Sequence, residues 1–115
     1  MPRQRPPYPA QRGLWGKPTV INNVESLANI TGIIRMGAEE FRRVGTPKSP
    51  GTQLISISGH IAKPGVYEVE YGYPWAKFLD EDCGGIVGGK AIKCVVPGGV
   101  SSKVLTGAEI KDLAL

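Results

Sequence analysis

The sequence predicts an α+β fold, and the spacing of its apolar residues carries this prediction. In the first half of the chain, apolar residues recur three or four positions apart, as on one face of a helix. From Gln53 onward the period changes to two, which is typical of strands that bury one side. A loop rich in proline and glycine, residues 46–52, separates the two patterns. With 115 residues the chain has room for one domain and little more.

A proline-rich arm opens the chain, and residues 1–18 contain five of its ten prolines. Because proline fixes φ and lacks a backbone N–H, we expect this arm to be extended, neither helix nor central strand. Tyr8, Leu14 and Trp15 punctuate it, and such bulky apolar side chains are unusual in a free linker. The arm is therefore predicted to lie on a surface.

The first predicted helix covers residues 24–34, whose apolar side chains share one face. Asn22 followed three residues later by Glu25 resembles a capping box, so Asn22 is the predicted N-cap. Asn23 would then stand at the first helical position, where asparagine has no particular advantage. We expect Thr31-Gly32 to interrupt the helical run and Gly37 to end it.

A second short helix is predicted over residues 38–44, with Phe41 and Val44 facing inward and Gly45 as its stop. Residues 54–58 and 66–70 read as two strands joined by a turn, with Glu68 and Glu70 facing out. A helix follows over residues 74–83, then a third strand at 91–96 and a short fourth at 104–105. Strand, strand, helix, strand is the order at the core of a β-grasp fold.

The charges are distributed unevenly along the chain, whose net charge is +4. The first half is basic and the acids gather after residue 67, an asymmetry that would suit a nucleic-acid surface. However, the aromatic residues do not interleave with the basic ones as a stacking platform requires. A solvated or protein-docking arm is the favoured interpretation. No apolar run is long enough to span a membrane and the start has no signal-peptide pattern, so we expect a cytoplasmic protein without direct membrane insertion.

No catalytic or metal-ligating group is predicted. Cys83 and Cys94 form no Cys-x-x-Cys pair and have no histidine near them, so we expect two buried reduced thiols. His60, the single histidine, falls in the predicted hairpin turn without a neighbouring acid and is expected to face solvent. The glycine pairs match no phosphate-loop spacing and are expected to form turns.

The adjacent asparagines, Asn22 and Asn23, form the constellation with the clearest functional promise. Spacing alone leaves two interpretations open. In the first, one asparagine caps the helix and the other is a surface residue. In the second, both amides are held beside a helix N-terminus, whose free N–H groups and dipole favour a polar or anionic ligand.

Residues 13–30, GLWGKPTVINNVESLANI, resemble the flavoprotein subunit of NADH:quinone oxidoreductase, the NADH dehydrogenase module of respiratory complex I. They are also similar to related subunits of NAD-linked hydrogenases and formate dehydrogenases. The resemblance extends through PRQRPPYPA before this stretch, and through GTPKSPGTQLISISGHIAKPGVYEVEYG and VVPGGVSSKVLT after it. Thr31 departs from the pattern, because the family usually carries proline there.

The resemblance implies an internal fragment of an oxidoreductase that passes electrons from NADH through FMN to a [4Fe–4S] cluster toward quinone. NADH and the cluster would belong to other parts of that parent, so these residues alone would be non-catalytic and would hold no cofactor. Residues 1–22 would be the extended end of the flavin domain and residues 23–50 a helical segment. Residues 51–115 would be a soluble-ligand-binding β-grasp domain, truncated at its C-terminus.

The resemblance also implies a site and partners. Ile21, Asn22 and Asn23 would be FMN contacts, forming part of the flavin site. The partners would be the other domains of the same subunit and the other hydrophilic-arm subunits, peripheral to the inner membrane, with no nucleic acid. The truncated sheet would have an exposed edge suited to self-association.

Two other functions compete with this expectation. One is a free-standing β-grasp module that binds a small ligand or a polysaccharide, and the other is a nucleic-acid adaptor that uses the basic arm. The sequence leaves open whether the parent is respiratory complex I, a hydrogenase or a formate dehydrogenase, and whether the β-grasp module has its own ligand.

Overall fold

The computed structural model of the chain describes residues 4–115, so the first three residues of the predicted arm lie outside it. The chain divides into two compact units, Met1–Met36 and Gly37–Leu115. Helices and strands are both present and the sheets are small and antiparallel, which confirms the α+β class. No helix among the described residues is long and apolar enough to cross a membrane.

The described part of the arm contains helix, so the prediction of a wholly extended arm is wrong. Helix α1 is Pro9–Arg12, and a 3₁₀ turn, Leu14–Gly16, follows it. The carbonyl of Tyr8 accepts hydrogen bonds from the backbone N–H groups of Gln11 and Arg12, at 2.8 and 2.9 Å. Pro9 permits this turn because the first helical residue needs no N–H donor and proline already has a helical φ.

Helix α2 is Val24–Met36, and it passes through Thr31 and Gly32 without a break. The predicted interruption there is wrong, because one glycine in a helix costs only about 1 kcal/mol relative to alanine. Gly37 follows the helix with a φ of +89°, which confirms it as the stop. The apolar stripe of α2 is exposed, from 45% at Ile30 to 80% at Val24.

The second unit begins with a helix shorter than predicted and continues through both sheets. Its elements are α3 (Ala38–Phe41), β1 (Thr52–Ile57), β2 (Gly65–Glu70), α4 (Trp75–Lys77), a π-helical turn (Phe78–Asp82), a 3₁₀ turn (Val87–Gly89), β3 (Cys94–Val95), β4 (Leu105–Thr106) and α5 (Gly107–Lys111). The predicted third strand shrinks to two residues, and α5 was not predicted at all. Thr106 and Glu109 form a capping box that starts α5.

The strands pair as two separate two-stranded sheets among the described residues. β1 and β2 are antiparallel with Ile55 opposite Tyr67, and β3 and β4 are antiparallel with Val95 opposite Leu105. This pairing does not confirm the single sheet of a β-grasp fold, which stays a prediction. Glu68 and Glu70 face out from β2 as predicted.

The core of the second unit is centred on Phe78, which is fully buried. The rings of Tyr67 and Trp75 pack edge-on against it, with centroids 5.4 and 6.0 Å away. Cys83 is also fully buried, but Cys94 is exposed. The prediction of two buried thiols is therefore wrong for Cys94, because the short strand β3 leaves its side chain on the outside.

Candidate functional site

Asn23, and not Asn22, caps helix α2. The carbonyl of Asn23 accepts a hydrogen bond from the N–H of Leu27 at 3.1 Å, the first bond of the helix. Its side-chain Oδ1 accepts another from the N–H of Glu25 at 2.8 Å, which satisfies one of the free donors of the first turn. The predicted capping box from Asn22 to Glu25 is therefore wrong by one residue.

Asn22 is left with an exposed amide in front of the helix. None of the hydrogen bonds found within residues 4–115 uses its side chain, whose oxygen and NH₂ group are available to a ligand. Ile21, the third predicted site residue, is 64% exposed beside it. The three residues form a continuous surface strip at the N-terminal end of α2.

The segment that leads to this strip is tied to the arm by three hydrogen bonds. The N–H of Gly13 donates to the Lys17 carbonyl at 2.7 Å, and the N–H of Thr19 donates to the Pro9 carbonyl at 2.9 Å. The hydroxyl of Thr19 accepts from the N–H of Leu14 at 2.9 Å. A β-carbon at Gly13 would lie 2.4 Å from the Thr19 hydroxyl oxygen, so this close approach requires glycine.

An apolar hollow of about 610 Å³ lies beside Ile21 in the same unit. Leu14, Trp15 and Thr19 are among its lining residues. Trp15 is 86% exposed and has a φ of +52°, an unusual backbone conformation for a bulky residue. Sequence reasoning placed Leu14 and Trp15 on a docking surface but did not connect them to the Ile21 strip. The signal for that connection was Gly13, which lets the turn fold back onto Thr19.

The other candidate residues do not assemble into a catalytic group. His60 is exposed next to β1 as predicted, and its carbonyl accepts a hydrogen bond from the N–H of Val87 at 3.0 Å. Burial raises the pKa of the Cys83 thiol above its ordinary value, which disfavours the reactive thiolate. Among residues 4–115 no group of three or more His, Cys, Asp or Glu side chains is placed to hold a metal ion.

Fold and site together define the class of this chain: an α+β module with an exposed amide strip and an apolar hollow, and with no nucleophile–base pair within residues 4–115. No protein-family model matches the chain. It is 44% identical over 110 residues to an F subunit of NADH-quinone oxidoreductase, the one numbered 2, of Rhizobium meliloti (strain 1021), covering 96% of this chain and 26% of that protein. It is 49% identical over 105 residues to the F subunit of the same enzyme of Mycobacterium tuberculosis (strain ATCC 25618 / H37Rv), covering 91% of this chain and 23% of that protein.

Solved structures agree with these relatives. The chain superimposes on crystal structures of an NAD⁺-reducing [NiFe]-hydrogenase in the air-oxidised and H₂-reduced states, with TM-scores of 0.81 and 0.80 and identities of 37% and 36%. The superposition covers 100% and 96% of this chain but only 20% and 19% of the hydrogenase chains.

The chain is a homologue of the F subunits of NADH-quinone oxidoreductase over nearly its whole length, so the resemblance inferred from its sequence motifs is confirmed. It spans about a quarter of the length of these curated relatives.

Proposed function

We propose that this chain is part of an NADH dehydrogenase flavoprotein subunit, which as a whole passes electrons from NADH through FMN to an iron–sulfur cluster toward quinone. The homology to the F subunits of NADH-quinone oxidoreductase is the observation that carries this proposal. In this proposal Ile21, Asn22 and Asn23 contact the FMN, and the chain supplies part of the flavin site and a structural module. NADH and the cluster are bound by other parts of the subunit.

The chemistry of the exposed strip fits the phosphate and ribityl side of a flavin. Phosphate oxygens and ribityl hydroxyls accept hydrogen bonds, and each asparagine amide carries two N–H donors. Because Asn23 uses only its oxygen to cap α2, its NH₂ group is left to donate. The α2 N-terminus adds a dipole that favours a negative charge.

Each residue of the strip has a distinct part in this arrangement. Asn22 binds through its side chain, because neither its oxygen nor its NH₂ group is used within the described residues. Asn23 orients the helix start and contributes its amide. Ile21 offers apolar surface beside the hollow. Bound FMN would accept the hydride of NADH and release its electrons singly, which is chemistry that the flavin supplies.

The second unit is proposed to be a β-grasp module of the soluble-ligand-binding type. Support comes from the order of its elements, in which the β1–β2 hairpin is followed by the helical segment and then by β3. Further support comes from the single core that these elements share, with Phe78 from the helical segment, Val69 from β2 and Ile110 from α5.

The proposed partners are the other domains of the same subunit and the other hydrophilic-arm subunits of the complex, in the cytoplasm at the inner membrane. The exposed stripe of α2 supports this, because Val24, Leu27 and Ile34 are between 50% and 80% exposed. An apolar helical stripe of this kind is normally covered by another protein surface. Self-association through an open sheet edge also stays a prediction.

The test uses the full-length subunit with both Asn22 and Asn23 changed to alanine. We expect a lower ratio of flavin to protein, measured by flavin absorbance after purification, and slower NADH oxidation that added FMN partly restores. Asn29→Ala is the matched control, because Asn29 has the same side chain within α2 but lies away from its start. Unchanged flavin content in the double variant would contradict the assignment of these asparagines.

A further inference from the structure

A groove of about 800 Å³ runs between β1 and β3 in the second unit. Its walls are two uninterrupted runs of chain, residues 55–61 from β1 and its turn, and residues 90–97 around β3. Trp75 and Leu79 from the helical segment also line it, and both are buried in the core.

The uninterrupted runs show that the groove follows strand edges and not strand faces. Side chains alternate between the two faces of a strand, so a groove over a face would be lined by every second residue. A groove along an edge touches each residue in turn, as this one does. Among the described residues β1 pairs only with β2, and β3 pairs only with β4. The edges of β1 and β3 that face the groove are therefore open.

The lining of the groove is apolar and basic. Ile55, Ile57, Ile92 and Val95 are partly buried against the core and keep surface in the groove. Lys90 and Lys93 are its charged side chains, and no aspartate or glutamate is among the lining residues. An occupant with apolar groups and a carboxylate complements this lining.

We propose that this groove accepts an extended segment of a partner polypeptide, which inserts as a strand between β1 and β3 and places an acidic side chain near Lys90 and Lys93. Main-chain hydrogen bonds to both edges hold the segment, and its inward apolar side chains pack on the isoleucines. The seven residues of one wall span roughly 23 Å, enough for a segment of about seven residues. The inference rests on the groove alone and does not depend on the flavin assignment.

The test uses this chain and a capped peptide of about seven residues, in which valine and threonine alternate around one central glutamate. Binding is measured by calorimetry, and hydrogen exchange of the backbone amides locates the peptide. We expect saturable binding that slows exchange at residues 55–59 and 93–96. Two further peptides carry N-methyl groups at the odd or at the even positions, and each lacks the donors toward one wall of the groove. Because an inserted strand uses both walls, we expect both peptides to bind at least about tenfold more weakly.

Charge reversal supplies the second arm of the test. Replacing the peptide glutamate by lysine weakens binding to the unchanged chain, and the variant Lys90→Glu/Lys93→Glu reverses this preference. Lys48→Glu is the matched control, because Lys48 lies in the same unit but does not line the groove. The proposal is overturned if the peptide does not bind up to about 1 mM, or if N-methylation has no effect. It is also overturned if sedimentation shows a dimer that protects the same amides, since the occupant is then a second copy of this chain.

Discussion

The side-chain oxygen of Asn23 accepts a hydrogen bond from the backbone N–H of Glu25 at 2.8 Å, at the first turn of α2. Asn22, one residue earlier, has no such bond within the described residues. The two asparagines therefore have different roles in stability even though both are proposed to meet the same ligand. This difference allows the cap and the flavin contact to be tested separately.

Asn23→Ala is expected to lower the free energy of unfolding by about 0.5–2 kcal/mol, because it removes the cap of α2. Asn22→Ala should change it by less than about 0.5 kcal/mol, since that side chain is exposed and makes no bond within the described residues. Asn23→Asp keeps the cap acceptor but replaces the donating NH₂ group with a negative charge. That variant should remain as stable as the unchanged protein and still lose flavin. Denaturant unfolding and flavin content of the full-length variants measure both effects, and equal destabilisation by Asn22→Ala and Asn23→Ala would contradict the cap assignment.

The two cysteines are expected to react with a thiol reagent at very different rates. Cys94 is exposed, whereas Cys83 is fully buried and burial raises its pKa. A buried thiol reacts only when the structure opens around it. We expect one thiol to react quickly with Ellman's reagent in the native chain and both to react in denaturant. In the variant Cys94→Ser the fast phase should disappear, and a fast phase that persists would show that Cys83 is accessible.

The periodicity of the sequence predicted the first long helix and the first two strands well, because those elements have long enough repeats to define a face. It failed at the cap of α2, since Asn22 and Asn23 are equally good caps and one residue decides which carbonyl begins the helix. It also missed α5, although Thr106 and Glu109 carry its capping box, because five residues give too little periodicity to notice.

The candidate site was less accessible to sequence reasoning than the fold. Its chemical character came from a resemblance, because two amides before a helix suit a cap as well as a ligand. The hollow beside Ile21 depends on Thr19 folding back onto Gly13, a contact that no local pattern encodes. The groove between β1 and β3 depends on which strands pair, and pairing is set by tertiary contacts.

Phe78→Ala is expected to destabilise the second unit by about 3–5 kcal/mol, because it leaves a cavity where Tyr67 and Trp75 pack edge-on. Since small domains have only about 5–15 kcal/mol of total stability, the variant should unfold at much lower denaturant concentration. Val66→Ala in β2 is the control, because Val66 is 66% exposed and its loss should cost less than about 0.5 kcal/mol. Similar midpoints for the two variants in urea unfolding would show that Phe78 is not the centre of the core.

The start of α5 should lose stability in acid because of Glu109. Its carboxylate accepts hydrogen bonds from the backbone N–H and the hydroxyl of Thr106, both at 2.8 Å, and pairs with Lys103 at 3.0 Å. The hydrogen bond from the Thr106 backbone, followed by the bond from Lys103, lowers the pKa of Glu109 from 4.5 to about 2. Because the folded pKa is depressed, the stabilisation is complete above pH 4.5 and is lost as the pH falls toward 2.

Glu109→Gln should remove this pH dependence while keeping a residue that can still accept the bond from Thr106. Lys103→Gln should remove only part of it, since the bonds from Thr106 remain. Lys111→Gln, at the other end of α5, is the control for the loss of a lysine charge. The measurement is urea unfolding of each variant at intervals between pH 5 and pH 2. If the unchanged chain and Glu109→Gln lose stability in parallel across this range, the carboxylate of Glu109 does not stabilise the start of α5.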